Sequence, residues 1–301
     1  MKVDGKLANA IESGDFILTA EYLPVAGIDS SIVESAAKSL GKSALAVNVA
    51  DNHYRVAMSS LAASVAVMKA GVEPVYQIVT RDRNRIALQS DLLGAASLGI
   101  KNVLCLSGYH QTLTGSPESA NVFDIDSIQL VAAVRNMRDK GVLLDGTKID
   151  GEFSMLIGAV ANPYITPLEL NLIRLHKKVE AGADIIQTQA VFDIEGFSRW
   201  LDAARSEGIT EKTAILAGVM PLESAAEAER LRDTYTDLHI SDELIERLTA
   251  AGSKEAQKKE GLAICAETIK KVKDMKGLRG IHILSGGKET VVPEILAASG
   301  L

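Results

Sequence analysis

One carboxyl group near the start of the chain stands out. Glu21 lies in the otherwise apolar run FILTAEYLP, so its side chain is expected to be buried, and burial raises the pKa of a carboxyl group. A carboxylic acid with a raised pKa can donate a proton near neutral pH. A structural ion pair with a nearby Lys or Arg explains the same residue equally well, so both interpretations stay open.

Two glutamines at alternate positions of one apolar run are a second candidate. In IIQTQAV, Gln187 and Gln189 would share one face of a strand, and an unpaired buried amide is costly. At least one of them is therefore expected to bond a ligand or a neighbouring strand. A polar layer inside the fold explains the pair equally well.

Glycines follow two of the apolar runs and could bring backbone N–H groups close to a ligand. Gly108, in LSGYHQ, has no side chain in the way. The turn Gly286–Lys288 could bind phosphate, although a plain turn is the favoured interpretation there. GxGxxG and P-loop motifs are absent, so loops must hold any nucleotide. The histidines are scattered and form no cluster at ligand spacing, so no metal site is predicted.

A repeated pattern supplies the scaffold for these residues. A helical stretch, a glycine and a short β-branched run recur along the chain, and each glycine can adopt the left-handed conformation that ends a helix. Helix therefore alternates with strand. The predicted strands are Phe16–Leu23, Ala44–Ala50, Pro74–Val79, Asn102–Ser107, Met155–Ala161, Ile185–Val191, Ala214–Met220 and Gly280–Ser285.

Eight such units in 301 residues predict an α/β fold, a single (β/α)8 TIM barrel that spans residues 1–301 as one domain. An open doubly wound sheet is the competing architecture. The irregular insertion Thr236–Gly261 is expected to add a helix before the last barrel helix. In a barrel the active site lies at the carboxyl ends of the strands, where Glu21, Gln189 and the Gly108 loop are predicted to meet.

Two helix starts carry capping signals. Thr166 is predicted to cap a helix that has Pro167 in its first turn and Glu169 completing a capping box. Asp193 is predicted to cap the next helix, which would turn Trp200 toward the core.

The composition narrows the class of partner. The formal net charge is −7 and no basic block offsets it, which argues against nucleic acid and anionic membranes and favours a small molecule. No apolar run approaches the ~18 residues of a membrane span, and we find no signal peptide. The two cysteines, Cys105 and Cys265, indicate no disulfide framework, so we expect a reduced, cytoplasmic location.

Several of these segments resemble the methylenetetrahydrofolate reductase family, whose members are FAD-binding β/α barrels. The resemblance covers essentially the whole chain and is clearest in AEYLP around Glu21, TRDRNRIALQSDLLGA at 80–95, HKKVEAGADIIQTQAVFD at 176–193 and AGVMP at 217–221. NVFDIDSIQLV, at 121–131, is similar to a branch found in acetogens and other anaerobes. The resemblance implies an oxidoreductase of one-carbon metabolism and methionine biosynthesis that interconverts methylenetetrahydrofolate and methyltetrahydrofolate.

The resemblance also implies roles for individual residues. Glu21 falls on the family's general acid beside the folate pteridine, and Gln189 falls on a folate-contacting glutamine, whereas Gln187 does not. Lys178 would face the FAD phosphates as a point charge. The positions that correspond to FAD contacts are Asn48, Gln77, Ser107, Gly108, Tyr109, Ala159, Asn162 and Lys178.

The chain departs from the family pattern at three of its positions. Most members have an acidic residue at Tyr109 and a histidine at Gln77, and well-known members have an aromatic residue at Ala225 that stacks on nicotinamide and folate. A neutral phenol at 109 changes the electrostatic field near the flavin. We therefore expect a shifted flavin potential, a different physiological direction of the reaction or a different electron donor. Electrons are expected from NAD(P)H or, because Ala225 offers no stacking surface, from a partner electron-transfer protein in a homo- or hetero-oligomer.

Two other functions fit the same residues. One is a pterin-binding barrel of the methyltransferase type, which passes a methyl group to a corrinoid protein without a flavin. The other is a non-catalytic subunit of a one-carbon complex, which the change at Tyr109 favours and the retained Glu21 and Gln189 oppose. Flavin absorbance in the purified protein separates these alternatives from the reductase.

Overall fold

The barrel predicted from the sequence is confirmed in the computed structural model, which describes residues 3–235 and 238–301. Eight parallel strands follow one another in chain order around a closed barrel, and β1 pairs with both β2 and β8. Each predicted strand is present, with its ends displaced by at most two residues. The strands are β1 (Ile17–Tyr22), β2 (Ala46–Val49), β3 (Glu73–Val79), β4 (Asn102–Leu106), β5 (Leu156–Ala161), β6 (Ile185–Ala190), β7 (Ala214–Val219) and β8 (Leu278–Ile283).

Helices cover the outside of the barrel and connect its strands. They are α1 (Lys6–Ser13), α2 (Ser30–Leu40), α3 (Ser60–Lys69), α4 (Arg85–Ser97), α5 (Ser127–Lys140), α6 (Leu168–Ala181), α7 (Ile194–Ser206), α8 (Ala225–Thr234), α9 (Asp242–Ala250), α10 (Lys254–Val272) and α11 (Val292–Ser299). The segment Thr236–Gly261 contains α9 and the start of α10, while Thr236 itself lies outside the described residues. No helix in the described ranges is long and apolar enough to cross a membrane.

One of the two predicted helix starts is correct. Asp193 caps α7 by accepting a hydrogen bond from the backbone N–H of Gly196, and Trp200 is buried behind it. The capping box at Thr166 is wrong, because Pro167 keeps an extended backbone and is itself the N-cap of α6. The helix begins one residue later than the motif requires, so Glu169 lies one position too early to close the box.

Two apolar layers stabilise the barrel, one inside the strands and one between the strands and the helices. The inner layer includes Leu104, Leu156 and Leu216, and Leu7 of α1 packs against it. The Glu73 carboxylate accepts hydrogen bonds of 2.7 and 3.0 Å from the first two backbone N–H groups of α1, which otherwise have no helical partner. Helix α1 thus covers the amino end of the barrel and leaves the carboxyl end for a ligand.

The pairing of β6 and β7 is irregular where the two glutamines lie. The register shifts between Gln187 and Ala190, and a Cβ on Gly218 of β7 would lie 2.2 Å from the carbonyl oxygen of Thr188. The backbone N–H of Gly218 donates to Thr188 Oγ1 over 2.9 Å. Because of this bulge, Gln187, Thr188 and Gln189 all border the barrel mouth.

Candidate active site

A cleft of about 280 Å³ opens at the carboxyl ends of the strands. Asn48 and Ala159, two of the ten residues predicted for the site, lie outside its lining. The structure brings the other eight together around the cleft, namely Glu21, Gln77, Ser107, Gly108, Tyr109, Asn162, Lys178 and Gln189.

Glu21 is buried near the end of β1, with 5% of its surface exposed. The pKa of its carboxyl group is raised to about 7, chiefly by desolvation and then by the negative charge of Glu289, while a hydrogen bond with Gln77 opposes the shift. Both protonation states are therefore populated at neutral pH, as a general acid requires. The raised pKa expected from the apolar sequence context is present.

Gln187 forms part of a polar layer inside the barrel. Its Oε1 accepts a hydrogen bond of 2.7 Å from Asn48 Nδ2, and its Nε2 donates to Asn48 Oδ1 over 3.2 Å. Thr19 Oγ1 lies 2.9 Å from Nδ1 of His282, and burial lowers the pKa of that histidine to about 3. Both polar atoms of the Asn48 amide therefore bond to Gln187, which accounts for the position of Asn48 outside the cleft lining.

Gln189 faces a different neighbour, the phenol of Tyr109. Its Nε2 donates to the phenol oxygen over 3.3 Å. The backbone carbonyl of Tyr109 accepts a hydrogen bond of 3.3 Å from Arg81 Nη1. Gly108 has a φ of +82°, and a Cβ there would lie 3.2 Å from Arg81 Cβ, so this loop conformation depends on glycine.

Tyr109 belongs to an aromatic cluster at the barrel mouth, which consists of His53, Tyr54, Tyr109 and Tyr235. The ring centroid of Tyr109 lies 5.8 Å from the ring centroid of His53 and 5.1 Å from that of Tyr235. The ring centroids of Tyr54 and Tyr235 are 6.3 Å apart. Desolvation and the charge of Arg81 lower the pKa of His53 to about 4, so its ring is neutral at pH 7. The loop after β2, the loop after β4 and the end of α8 meet in this cluster.

The side of the cleft opposite Glu21 is cationic. Strands β1 and β5 face each other across a barrel of eight strands in chain order, and the Lys178 ammonium donates to the carbonyl of Val160 in β5. Desolvation and the nearby charge of Arg174 lower the pKa of Lys178 to about 8. Asn162 lines the same side, and Ala159 packs in the apolar layer between the strands and the helices.

The turn after β8 contributes a residue that no sequence pattern points to. Glu289 accepts a hydrogen bond of 3.4 Å from the backbone N–H of Leu23, and its negative charge raises the pKa of Glu21. The preceding Lys288 donates to Glu227 Oε1 over 2.7 Å and to the Pro221 carbonyl over 3.2 Å. Its ammonium is therefore paired within the protein, in agreement with the plain-turn interpretation.

Within residues 3–235 and 238–301, no group of three or more His, Cys, Asp or Glu side chains is placed to hold a metal ion. The polar groups of the cleft are instead amides, hydroxyls, two imidazoles, the carboxyl groups of Glu21 and Asp51 and the basic side chains of Arg81, Arg174 and Lys178. This set suits an organic ligand that carries hydrogen-bonding groups and negative charge.

Comparison with known proteins identifies the family. Residues 6–300 match the family model of methylenetetrahydrofolate reductase. The chain belongs to the methylenetetrahydrofolate reductase family. Over 255 residues it is 24% identical to the probable methylenetetrahydrofolate reductase (NADPH) of Caenorhabditis elegans, which covers 83% of this chain and 36% of that protein. It is also 24% identical over 165 residues to the 5,10-methylenetetrahydrofolate reductase of Salmonella typhimurium, across 55% of this chain and 49% of that protein. The chain thus spans about a third to a half of the length of these relatives.

A solved structure shares the fold of this family member. It is an uncharacterized protein from Clostridium thermocellum, described as binding two copies of 5-methyl-5,6,7,8-tetrahydrofolic acid. The TM-score is 0.64 at 12% sequence identity, and the match covers 97% of this chain and 95% of that chain. At this identity the likeness shows the fold alone.

The methylenetetrahydrofolate reductase family is flavin-dependent, so the cleft can be tested for its fit to a flavin nucleotide. Val79, Leu106 and Val160 supply aliphatic walls for a planar ring system. Lys178 and Arg174 supply positive charge at one end, where a diphosphate would be stabilised. The residues present therefore fit such a group.

Proposed function

We propose that this chain is a flavin-dependent oxidoreductase that interconverts methylenetetrahydrofolate and methyltetrahydrofolate. The proposal rests on Glu21, a buried carboxyl group with a pKa of about 7 in a cleft that also contains Gln189 and Lys178. Membership of the family, and the folate ligand of a protein with the same fold, support the class of substrate.

FAD is the proposed cofactor, and when bound it supplies a hydride to the one-carbon unit of the folate. Lys178 and Asn162 would hold its phosphate side, and Gln77 with the Ser107–Tyr109 loop would border its ring. Asn48 and Ala159 do not line the cleft, and their contact with the cofactor stays a prediction.

Glu21 is the proposed proton donor. Its protonated carboxyl group gives a proton to the nitrogen that leaves the methylene carbon, which opens the five-membered ring of the folate to an iminium ion. Burial keeps the proton on Glu21 near neutral pH, because an ionised carboxylate is poorly solvated there. The amide of Gln189, held by Tyr109, presents its remaining polar atoms to the pteridine.

We also propose how the chain is supplied with electrons. The donor would be NAD(P)H or a partner electron-transfer protein, and a small side chain at Ala225, in the first turn of α8, favours the partner protein. We expect a homo- or hetero-oligomer in the cytoplasm.

Reoxidation of a reduced flavin by the folate tests the proposal without assuming a donor. The purified chain should be yellow or should take up FAD, and after anaerobic photoreduction its flavin should be reoxidised by methylenetetrahydrofolate. A chain that remains colourless with FAD, or a reduced flavin that methylenetetrahydrofolate does not reoxidise, would overturn the proposal.

A further inference from the structure

The space beside Glu21 on the side of the aromatic cluster is nearly closed. A cavity of about 40 Å³ remains there, bordered by Glu21, Gln189, Tyr109 and Tyr235. This is room for about three water molecules, whereas pockets for organic ligands measure roughly 300–1,000 Å³. Under the proposed function the flavin uses the main cleft, so a pteridine must reach Glu21 through this smaller space.

Two tyrosine rings from different elements close that space. Tyr109 follows β4, and Tyr235 lies at the C-cap of α8, where its backbone N–H bonds to the Leu231 carbonyl over 2.8 Å. The two rings are 5.1 Å apart and inclined by 43°. Tyr109 is also held by Gln189, and Tyr235 shares a hydrogen bond with Tyr54. Ring contacts and hydrogen bonds of these side chains thus contribute to the closure, and a ligand with a ring system can replace them.

We propose that the contact between Tyr109 and Tyr235 is the closed state of an aromatic gate. The ring system of the substrate enters beside Glu21 by separating the two rings and then stacks on Tyr235. This inference rests on the proposed function. An aromatic pair changes an equilibrium by about 2- to 10-fold, so a stacked pteridine offsets the loss of the tyrosine contact.

The gate also accounts for the small residue at position 225. Ala225 begins α8 and Tyr235 follows its last residue, and both pack in the same apolar cluster as Leu231. Tyr235 supplies an aromatic face from the far end of the helix. The stacking surface thus lies at Tyr235 in this chain instead of at position 225. The hydroxyl of Tyr235 shares a hydrogen bond with Tyr54, and this hydrogen bond is the latch that holds the gate closed.

Two substitutions separate the latch from the stacking surface. Tyr235→Phe keeps the ring and loses the hydrogen bond with Tyr54, so the association rate of the ligand should rise while its dissociation rate stays unchanged. Tyr235→Ala removes both, so the association rate and the dissociation rate should each rise by about 2- to 10-fold. Tyr164→Phe is the matched control, because Tyr164 is a buried tyrosine that stacks on His239 at 4.7 Å and does not border the small cavity.

The test measures the binding of 5-methyltetrahydrofolate to the immobilised, FAD-loaded full chain by surface plasmon resonance, with thermal unfolding as the check on folding. If the unsubstituted chain binds and both Tyr235 variants keep its rate constants, the gate is overturned and the proposed function stands. If the unsubstituted chain does not bind, the proposed function fails and the gate fails with it. If Tyr235→Ala does not fold, the association rate of Tyr235→Phe relative to Tyr164→Phe decides.

Discussion

The side-chain amide of Gln189 donates a hydrogen bond to the phenol oxygen of Tyr109 over 3.3 Å. Gln189, the proposed folate contact, is thereby joined to the residue at which the chain departs most from the family pattern. A phenol accepts this hydrogen bond without a charge, whereas a carboxylate would accept it with a full negative charge. The electrostatic field around the cleft therefore depends on the residue at position 109.

Tyr109→Asp should lower the midpoint potential of the bound flavin. A negative charge beside the flavin opposes the addition of electrons, and a tenfold change in a two-electron equilibrium corresponds to about 30 mV. Spectroelectrochemical titration measures the potential, with Tyr109→Phe as the control that removes the phenol oxygen without adding charge. Equal potentials in the unsubstituted chain and in Tyr109→Asp would contradict the prediction.

Glu21→Gln should make folding stability less dependent on pH. The pKa of Glu21 rises from 4.5 to about 7 on folding, so the folded chain binds this proton more tightly. Its contribution is fully present below pH 4.5 and is lost as the pH rises to about 7, an effect of about 3 kcal/mol. In urea denaturation, Glu21→Gln should gain stability relative to the unsubstituted chain between pH 5 and pH 8. A constant difference across that range would argue against a buried, titrating Glu21.

Glu289→Gln should lower the pKa of Glu21, because it removes a negative charge that favours the protonated form. The proposed reduction of methylenetetrahydrofolate requires that form, so the pH at which turnover declines should move to a lower value. The pH dependence of turnover measures the shift. Glu294→Gln, on the exposed face of α11, is the matched control and should keep the original profile. An identical profile for Glu289→Gln would show that Glu289 does not act on Glu21.

Lys178→Met should weaken FAD binding by about 10-fold or more, since a charge-assisted hydrogen bond contributes about 1.5–3 kcal/mol. The pKa of Lys178 is lowered to about 8, so the affinity of the unsubstituted chain should also decline at higher pH as the ammonium loses its proton. Quenching of flavin fluorescence measures both effects. Lys177→Met removes a neighbouring exposed lysine and should bind FAD normally. Equal affinities of the two variants would exclude Lys178 from the phosphate site.

The strands were predictable because each is buried on both faces and therefore appears as a continuous apolar run. Ala214–Val219 illustrates this, since its sequence AILAGV is apolar throughout and all six of its residues are buried. The start of α6 was not predictable in the same way. Its cap depends on the backbone angles of Pro167, and residue types near a proline allow more than one helix start.

The residues of the site also divide into those that the local sequence indicates and those that only the folded structure brings together. Glu21 was predictable from the residues themselves, as a single carboxyl group in an apolar run, and Tyr109 as part of the loop after a predicted strand, while Lys178 was predictable only through the family resemblance. Glu289 and Tyr235 could not be predicted. They approach Glu21 only because β8 closes the barrel beside β1 and because the end of α8 reaches the barrel mouth. Such contacts depend on tertiary structure and leave no local pattern.

Gly261→Ala should destabilise the barrel strongly, although alanine is ordinarily the better helix residue. A Cβ on Gly261 of α10 would lie 1.8 Å from the backbone carbonyl oxygen of Leu222, so the helix or the loop after β7 must move. Overpacking of this kind costs about 1–3 kcal/mol or more. Gly94→Ala in α4 is the matched control, because no atom lies within 4 Å of the added Cβ, and the substitution should stabilise by about 0.5–1 kcal/mol. Urea unfolding measures the stability of both variants. The added Cβ meets backbone atoms at Gly261 and no atom at Gly94, so a stabilising Gly261→Ala would mean that α10 does not pack against Leu222.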